Sequence, residues 1–473
     1  LVRGRLPGAR DWTHQYADAG NTGSSDDERV RGTPDVLWYG EPGPDKMQER
    51  HSRSEAPLAL NGRMFVQGVR AQSKTPLLLS FDAYNGVPYW EREMPGAERL
   101  YINGDCGNLA CSTQGLFVVT GEKCHRLDLL TGKTIATYAA AASDNGRKKR
   151  WAYLAVEGDT LIGSASSAYH FSDTIFAYDL VSGRIKWRYD GSVIRNSTLA
   201  IQGNKVFFVE HRGQTNTPVV LDLKAWAVKN AAAKRRAAAI KEDHDEEADD
   251  TDDNASPPPV KPVPEPYIRT VTALDLATGK QAWARDVDLA GCGVWAGDWV
   301  KGLCLIAKRD VVLLCGIYNA YGRVKGDEAR RRAQALSAKD GAPLWNRAIG
   351  NFVRPVVTGN MIIGRPRAFD LLTGEPAMRA GSKDAPVAWS ISSGGACGLM
   401  SASAGMLFYR LGTTIMMDVA TGGTLLAFAG VRPGCLINII PAGGVIVQVE
   451  ASSGCTCYHA LQATVVFVPK ASE

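Results

Sequence analysis

Ten cysteines hold most of the reactive potential of this 473-residue chain: Cys106, Cys111, Cys124, Cys292, Cys304, Cys315, Cys397, Cys435, Cys455 and Cys457. A thiolate can serve as nucleophile, soft-metal ligand or half of a disulfide, and spacing separates these uses. No Cys-x-x-Cys occurs, so neither a zinc ribbon nor a covalent haem attachment is encoded. An even cysteine count in a loop-rich chain suits an oxidising compartment with some disulfides, and buried thiols packing as small hydrophobes are the alternative. Cys397, Cys435, Cys455 and Cys457 gather toward the C-terminus with His459 close by. Such a group could hold Cu(I) or Zn²⁺; the competing expectation is a pair of disulfides. Cys106 and Cys111 sit in and just after the Gly-rich stretch Asn103 to Asn108, where a local disulfide is the simplest expectation. Cys292, Cys304 and Cys315 suit packing as well as bonding.

The other candidate chemistry is thinner. His51 lies beside Arg50 and near Arg53 in a charged loop, a setting for a solvated or salt-bridged imidazole. His14, His125, His170 and His211 are isolated, and no Ser-His-Asp order emerges. A net charge of +5 without a basic, aromatic-interleaved stripe gives nucleic-acid binding no support. The best apolar stretch, Leu436 to Val449, is broken by Pro441, Gly443 and Gly444, short of the roughly 20 residues a membrane helix needs.

A repeat supplies the elements that must position these residues. An apolar run, Asp, two residues, a small or polar residue and Gly recurs, often with Trp four residues after the Gly. The copies are Asp82 to Gly86 with Trp90, Asp128 to Gly132, Asp179 to Gly183 with Trp187, and Asp275 to Gly279 with Trp283. Ser337 to Gly341 with Trp345, Asp370 to Gly374, and Asp418 to Gly422 complete the set. An Asp carboxylate accepts from turn amides and Gly supplies positive φ, so the repeat encodes a hairpin turn between two strands. The Trp is expected to fill a seam between neighbouring sheets. Where Ala136, Met378 or Leu426 replaces it, a thinner and weaker seam is expected, on the roughly 3–5 kcal/mol scale of losing a large buried side chain.

Most of these turns recur at about the 40–50 residues that a four-stranded propeller blade needs. The expected fold is all-β: an eight-bladed β-propeller, with seven blades as the alternative. The strand around Trp38 has no turn of its own and is expected to complete the last blade, beside the run near Val465. Residues 1–34 form an N-terminal extension and 35–473 one propeller. A single insertion, 224–266, interrupts it. That insertion opens Ala- and Lys-rich, where composition favours helix. It then carries nine carboxylates between Glu242 and Asp253 and ends Pro-rich, a composition that cannot bury a core.

The stretch Ala273-Leu274-Asp275-Leu276-Ala277-Thr278-Gly279-Lys280-Gln281-Ala282-Trp283 resembles the PQQ-like repeat of quinoprotein alcohol dehydrogenases and of the propeller lipoprotein of outer-membrane assembly. Two further segments, Asp11 to Asp18 and Glu450 to Cys457, are similar to propeller portions of large, mostly uncharacterised bacterial multidomain proteins, as a processed or excised chain would be. The dehydrogenase resemblance implies a quinone on a Trp floor beneath a ring of two adjacent disulfide-bonded cysteines. It also implies Ca²⁺ held by Glu, Asn and Asp, with an Asp base. No two cysteines here are adjacent; Cys455 and Cys457 are separated by Thr456. The functional expectation is therefore a non-catalytic interaction or scaffold module outside the cytoplasm, with protein partners, no cofactor, and association with a membrane or envelope complex. The alternatives are a PQQ- and calcium-dependent oxidoreductase, and a metal-binding redox protein using the C-terminal cysteines.

Overall fold

The computed structural model describes residues 6–47, 55–97, 106–141, 149–166, 170–212, 267–295, 302–317, 330–381, 385–391, 398–434, 436–451 and 461–470. Within them, antiparallel strands form eight successive blades. In the first, Leu58–Leu60, Arg63–Val69, Pro76–Asp82 and Pro88–Glu93 pair in chain order. The next six blades run over 109–139, 150–195, 200–288, 303–348, 356–388 and 401–428. The eighth combines Ile439–Ala442, Val445–Gln448 and Thr464–Pro469 with Pro34–Gly40 from the other end of the chain. Trp38 lies opposite Val466 and Tyr39 opposite Val465, so the ring is closed by the strand expected to close it. Closure matters because an open terminal blade would expose unpaired N–H and C=O groups.

Inner strands are apolar on both faces because each blade is covered by two neighbours. On Gly115–Thr120, Leu116 and Val118 pack with Trp12, Leu58 and Phe65, while Phe117 and Val119 pack with Trp151 and Phe176. Each such side chain contributes roughly 1.5–3 kcal/mol when fully buried. The core is thus a chain of inter-blade layers.

The repeated turn is explained by what the preceding blade places on it. At each of four turns the Asp carboxylate accepts both the N–H and the hydroxyl of a Thr three residues on, as Asp275 does from Thr278. The carbonyl of the residue after the Asp then accepts the indole N–H of the previous blade's Trp. Trp90 reaches Leu129 O at 3.0 Å, Trp187 reaches Leu276 O at 2.8 Å and Trp345 reaches Leu371 O at 3.0 Å. The Gly faces the same indole: a Cβ at Gly279 (φ +69°) would lie 2.6 Å from Trp187. Gly is needed there both for its backbone angle and for its missing side chain.

Seams without the regular Trp are filled by other residues, which corrects the expectation of weak interfaces at Ala136, Met378 and Leu426. Beside Ala136, the Arg126 guanidinium takes the indole's place on Leu180 O at 3.1 Å. Met378 is exposed because the sixth blade's last strand is replaced by a hairpin, Met378–Ala380 with Pro386–Ala388. Trp389 follows that hairpin and donates to Val419 O at 2.7 Å. Near Leu426, Phe428 meets Phe467 edge-on at 5.0 Å. Seam filling is a three-dimensional requirement, and a fixed sequence offset is one way to meet it.

Candidate functional site

In a four-stranded meander the first and third turns share one end of the blade, so the repeat turns mark one end of the ring. At this end the segment 9–30 makes a main-chain partner with every blade in turn. Trp12 pairs with Ala59, Thr13 O accepts Cys111 N–H, and His14 Nε2 accepts Val156 N–H. Ala19 O accepts Ile201 N–H, Gly20 O accepts Ala307 N–H, Thr22 O accepts Val357 N–H, and Gly23 O accepts Ala402 N–H. Arg10 O accepts Gly443 N–H from the eighth blade.

The polar side chains of this segment are consumed in holding it. Asp27 is fully buried; one carboxylate oxygen accepts the N–H groups of Arg10 and Gly444, the other those of Arg29 and Val30. Asn21 donates to Leu199 O and Leu305 O. Asp18 accepts both the N–H and the hydroxyl of Thr22. Because Val156 N–H donates to His14 Nε2, the ring proton sits on Nδ1 and is donated to Thr13 Oγ1 at 2.8 Å. A small cavity beside His14, Gln15, Tyr16, Cys106 and Tyr153 has room for about one water, about 10 Å³. His14 offers it no free basic nitrogen, and burial pushes the Tyr153 phenol up. This end is built to hold the segment.

Burial lowers the His14 pKa to about 4 from 6.5 and raises that of Asp18 to about 6 from 3.8. Between pH 6.5 and 4 the unfolded chain gains a proton at His14 that the folded chain refuses. Acidification there removes up to about 3 kcal/mol of stability. Asp18 acts in the opposite sense: between pH 6 and 3.8 the folded chain keeps a proton that the unfolded chain has released, and acidification restores up to about 3 kcal/mol. The two largely cancel in the wild type. His14→Gln keeps an acceptor for Val156 N–H and removes one of the two titrations. Its stability relative to wild type, from denaturant titrations, should therefore rise between pH 7 and 4.5 by about 2–3 kcal/mol. A difference independent of pH would refute this assignment.

Several arginines are also drawn into the interior. Arg195, Arg269, Arg331, Arg354, Arg365, Arg410 and Arg432 are all buried. They are stabilised by carbonyls and rings: Arg195 donates to Leu303 O, Arg354 to Asn21 O, Arg331 to Asn351 O and Arg432 to Ala451 O. Arg354 also lies 3.7 Å over Tyr16, and Arg269 lies 4.1 Å over Tyr267. Sequence reading missed these residues, since a scattered Arg in a charged chain carries no local signal of burial. Glu210, also buried, accepts from Tyr189, Thr272 and Arg212. Arg212 and Tyr267 are the described residues on either side of the insertion, and Tyr267 accepts Trp295 N–H at 2.7 Å. The insertion's two roots are thus tied down.

The sequence-derived candidates separate clearly. Cys106 and Cys111 are both buried and are not joined to each other, which corrects the expected bridge. Cys106 packs with Ala110 and Phe117, Cys111 with Leu109 and Leu116; they face opposite sides of the second blade and cannot meet. Cys304 and Cys315 face each other, with sulfurs 3.5 Å apart. Cys124 and Cys292 are buried thiols, the latter pushed up to about 12 by burial. Cys397, Cys435, Cys455, Cys457, His459, His51 and the insertion lie outside the described residues. Among the described residues, no three His, Cys, Asp or Glu side chains group as metal ligands would, and no helix is long and apolar enough to cross a membrane.

These blades, seams and turns define an eight-bladed β-propeller of PQQ-like repeats. In fold it is related to BamB and to quinoprotein alcohol dehydrogenases. A family model described as outer membrane protein assembly factor BamB matches residues 46–224. Quinohemoprotein alcohol dehydrogenase from Comamonas testosteroni is 13% identical, with TM-score 0.54 over 99% of this chain and 82% of that one. BamB from Moraxella catarrhalis is 14% identical, with TM-score 0.50 over 92% and 99%. A europium-containing methanol dehydrogenase is 11% identical, with TM-score 0.52 over 97% and 98%. No curated protein matches the chain in sequence.

Proposed function

We propose that this chain is a non-catalytic interaction module acting outside the cytoplasm, within a larger envelope assembly, and that partner proteins dock on its rim. The observation carrying this reading is a run of exposed apolar side chains along four consecutive blades. Val36, Leu37 and Tyr39 lie on the outermost strand of the eighth blade, followed by Tyr89, Ile135 and Ile185 on those of the first three. The turns between add Val87, Leu130 and Val181, the last two 68% and 80% exposed. The fifth blade's outermost strand adds Leu344 and the sixth blade's hairpin Met378 and Val387, whereas the outermost strands of the fourth and seventh blades, Gln281–Asp288 and Thr424–Phe428, carry none. Exposed apolar side chains beside open strand edges favour protein partners. The match to a family described as an outer membrane assembly factor supports both the scaffold role and the location.

The competing reading is a PQQ- and calcium-dependent oxidoreductase, favoured by the likeness to quinohemoprotein alcohol dehydrogenase. One paired experiment separates them. Photo-crosslinkers placed at Tyr39 and Leu130 should trap the same partner protein in cells, and one at Asp286 in the fourth blade should not. Purified protein mixed with PQQ and Ca²⁺ should show no new absorbance band and no dye-linked alcohol oxidation. Quinone-dependent turnover would overturn the scaffold reading, as would crosslinking that is indifferent to position.

A further inference from the structure

Cys304 and Cys315 stand directly opposite each other on Leu303–Lys308 and Val311–Gly316, the two inner strands of the fifth blade. The connecting turn contains only Arg309 and Asp310, and Arg309 takes a positive φ of +53°. Ile317 N–H donates to Gly302 O, so the facing pair 302 and 317 is of the hydrogen-bonded kind. Two residues along each strand, the pair 304 and 315 is of the same kind, with α carbons about 5.5 Å apart. That spacing falls inside the range of about 4.4–6.8 Å that a disulfide spans. Both side chains are buried, and their sulfurs already lie 3.5 Å apart. Around them are Ile306, Leu313, Ala333 and Ala335, at the seam with the sixth blade. Register, burial and turn therefore hold two sulfurs one bond-forming movement apart, which packing alone does not require.

We propose that Cys304 and Cys315 form a buried cross-strand disulfide that staples the inner hairpin of the fifth blade, closed during folding by exchange with a small-molecule disulfide of the glutathione class. The Cys304 thiolate attacks one sulfur of the oxidised glutathione, forming a mixed disulfide and releasing one glutathione thiolate. The Cys315 thiolate then attacks the Cys304 sulfur and expels the second. Two electrons pass from the cysteines to the glutathione disulfide, and the two cysteine protons end on two glutathione thiols. The hydrogen bond that the Cys315 thiol donates to Cys304, and burial, both push the Cys315 thiol up, so thiolate is scarce in the finished fold. Bond formation therefore belongs to folding, while the hairpin is open, and the closed bridge is shielded from reductant afterwards.

The test uses the full chain, reduced and unfolded, then refolded in a reduced and oxidised glutathione buffer. Remaining thiols are blocked in denaturant at low pH, and the protein is cleaved after Lys and Arg without reduction. The expected product joins the fragment containing Cys304 to the one beginning at Asp310 and containing Cys315, 2 Da below the sum of the two free-thiol fragments. A thiol reductant should leave this product intact in the native protein and separate it once denaturant is added. Recovery of both cysteines as blocked free thiols would overturn the proposal, as would Cys304 joined to Cys292 or to glutathione alone. Cys315→Ser gives a second readout that does not depend on its stability: Cys304 should then be found blocked or glutathionylated, with no internal bridge.

Discussion

Gly279→Ala should destabilise the ring well beyond Gly183→Ala, although the two glycines occupy the same place in the repeat and have nearly the same φ, +69° and +70°. Each Ala carries the strain of a left-handed backbone, about 1–2 kcal/mol. At Gly183 that is the whole cost, because nothing lies within 4 Å of an added Cβ. At Gly279 the Cβ would meet the Trp187 ring at 2.6 Å. Trp187 cannot move aside, since its indole N–H is committed to Leu276 O and it is packed between blades. Overpacking there adds about 1–3 kcal/mol. Equilibrium denaturation of both variants measures the gap, and Trp187→Ala provides the control. In that background Gly279→Ala should cost only the backbone strain. Equal losses in all three comparisons would show that Gly serves the turn alone and that the seam does not read it.

Asp27→Ala is expected to be the most damaging single substitution in the N-terminal segment. It removes the one side chain that satisfies four N–H donors, those of Val30 and Gly444 buried and those of Arg10 and Arg29 on exposed residues. Each orphaned donor costs about 1–3 kcal/mol unless water reaches it. With two of the donors buried, a loss of at least about 2 kcal/mol follows if the segment stays in place. Release of the segment would strip a main-chain partner from every blade and expose Trp12, which is fully buried. Thermal unfolding, with limited proteolysis of residues before Pro34, distinguishes the outcomes: a lower midpoint with an intact N-terminus, or early cleavage there. Asp27→Asn should fall close to Ala, because its amide would turn a donor toward two of the four N–H groups. A wild-type midpoint with no new cleavage would mean that Asp27 does not hold the segment.

The proposed docking on the rim agrees with where polar groups are satisfied. At the repeat-turn end, His14, Asp18, Asn21 and Asp27 are spent on the chain itself. Buried arginines are spent on carbonyls and aromatic faces, Arg354 on Asn21 and Tyr16 of that same N-terminal segment. The rim is different: Tyr39, Leu130 and Val181 gain nothing from the fold by their exposure. Surface that does not serve folding is available to serve binding.

How much was legible in the sequence depended on whether the physics was local. The turn repeat is local: Asp275, Thr278 and Gly279 make their bonds within five residues, so seven turns, the blade spacing and the need for a closing strand could all be read from the chain. The strand around Trp38 could be recognised because it carries a Trp but lacks a turn, and it is paired to Val466 as that reading requires. Contacts between distant residues decided the rest. Arg126, Trp389 and Phe428 fill seams from offsets no repeat announces. Cys106 and Cys111, close in the chain, are separated because they join core layers on opposite sides of the second blade, whereas Cys304 and Cys315 meet because a two-residue turn sets their register. Segment 9–30, unremarkable in composition, is tied to all eight blades only because the ring brings their inner ends together around it. Hydrogen bonding within a turn is written in adjacent residues; burial and seam filling exist only once the ring has closed.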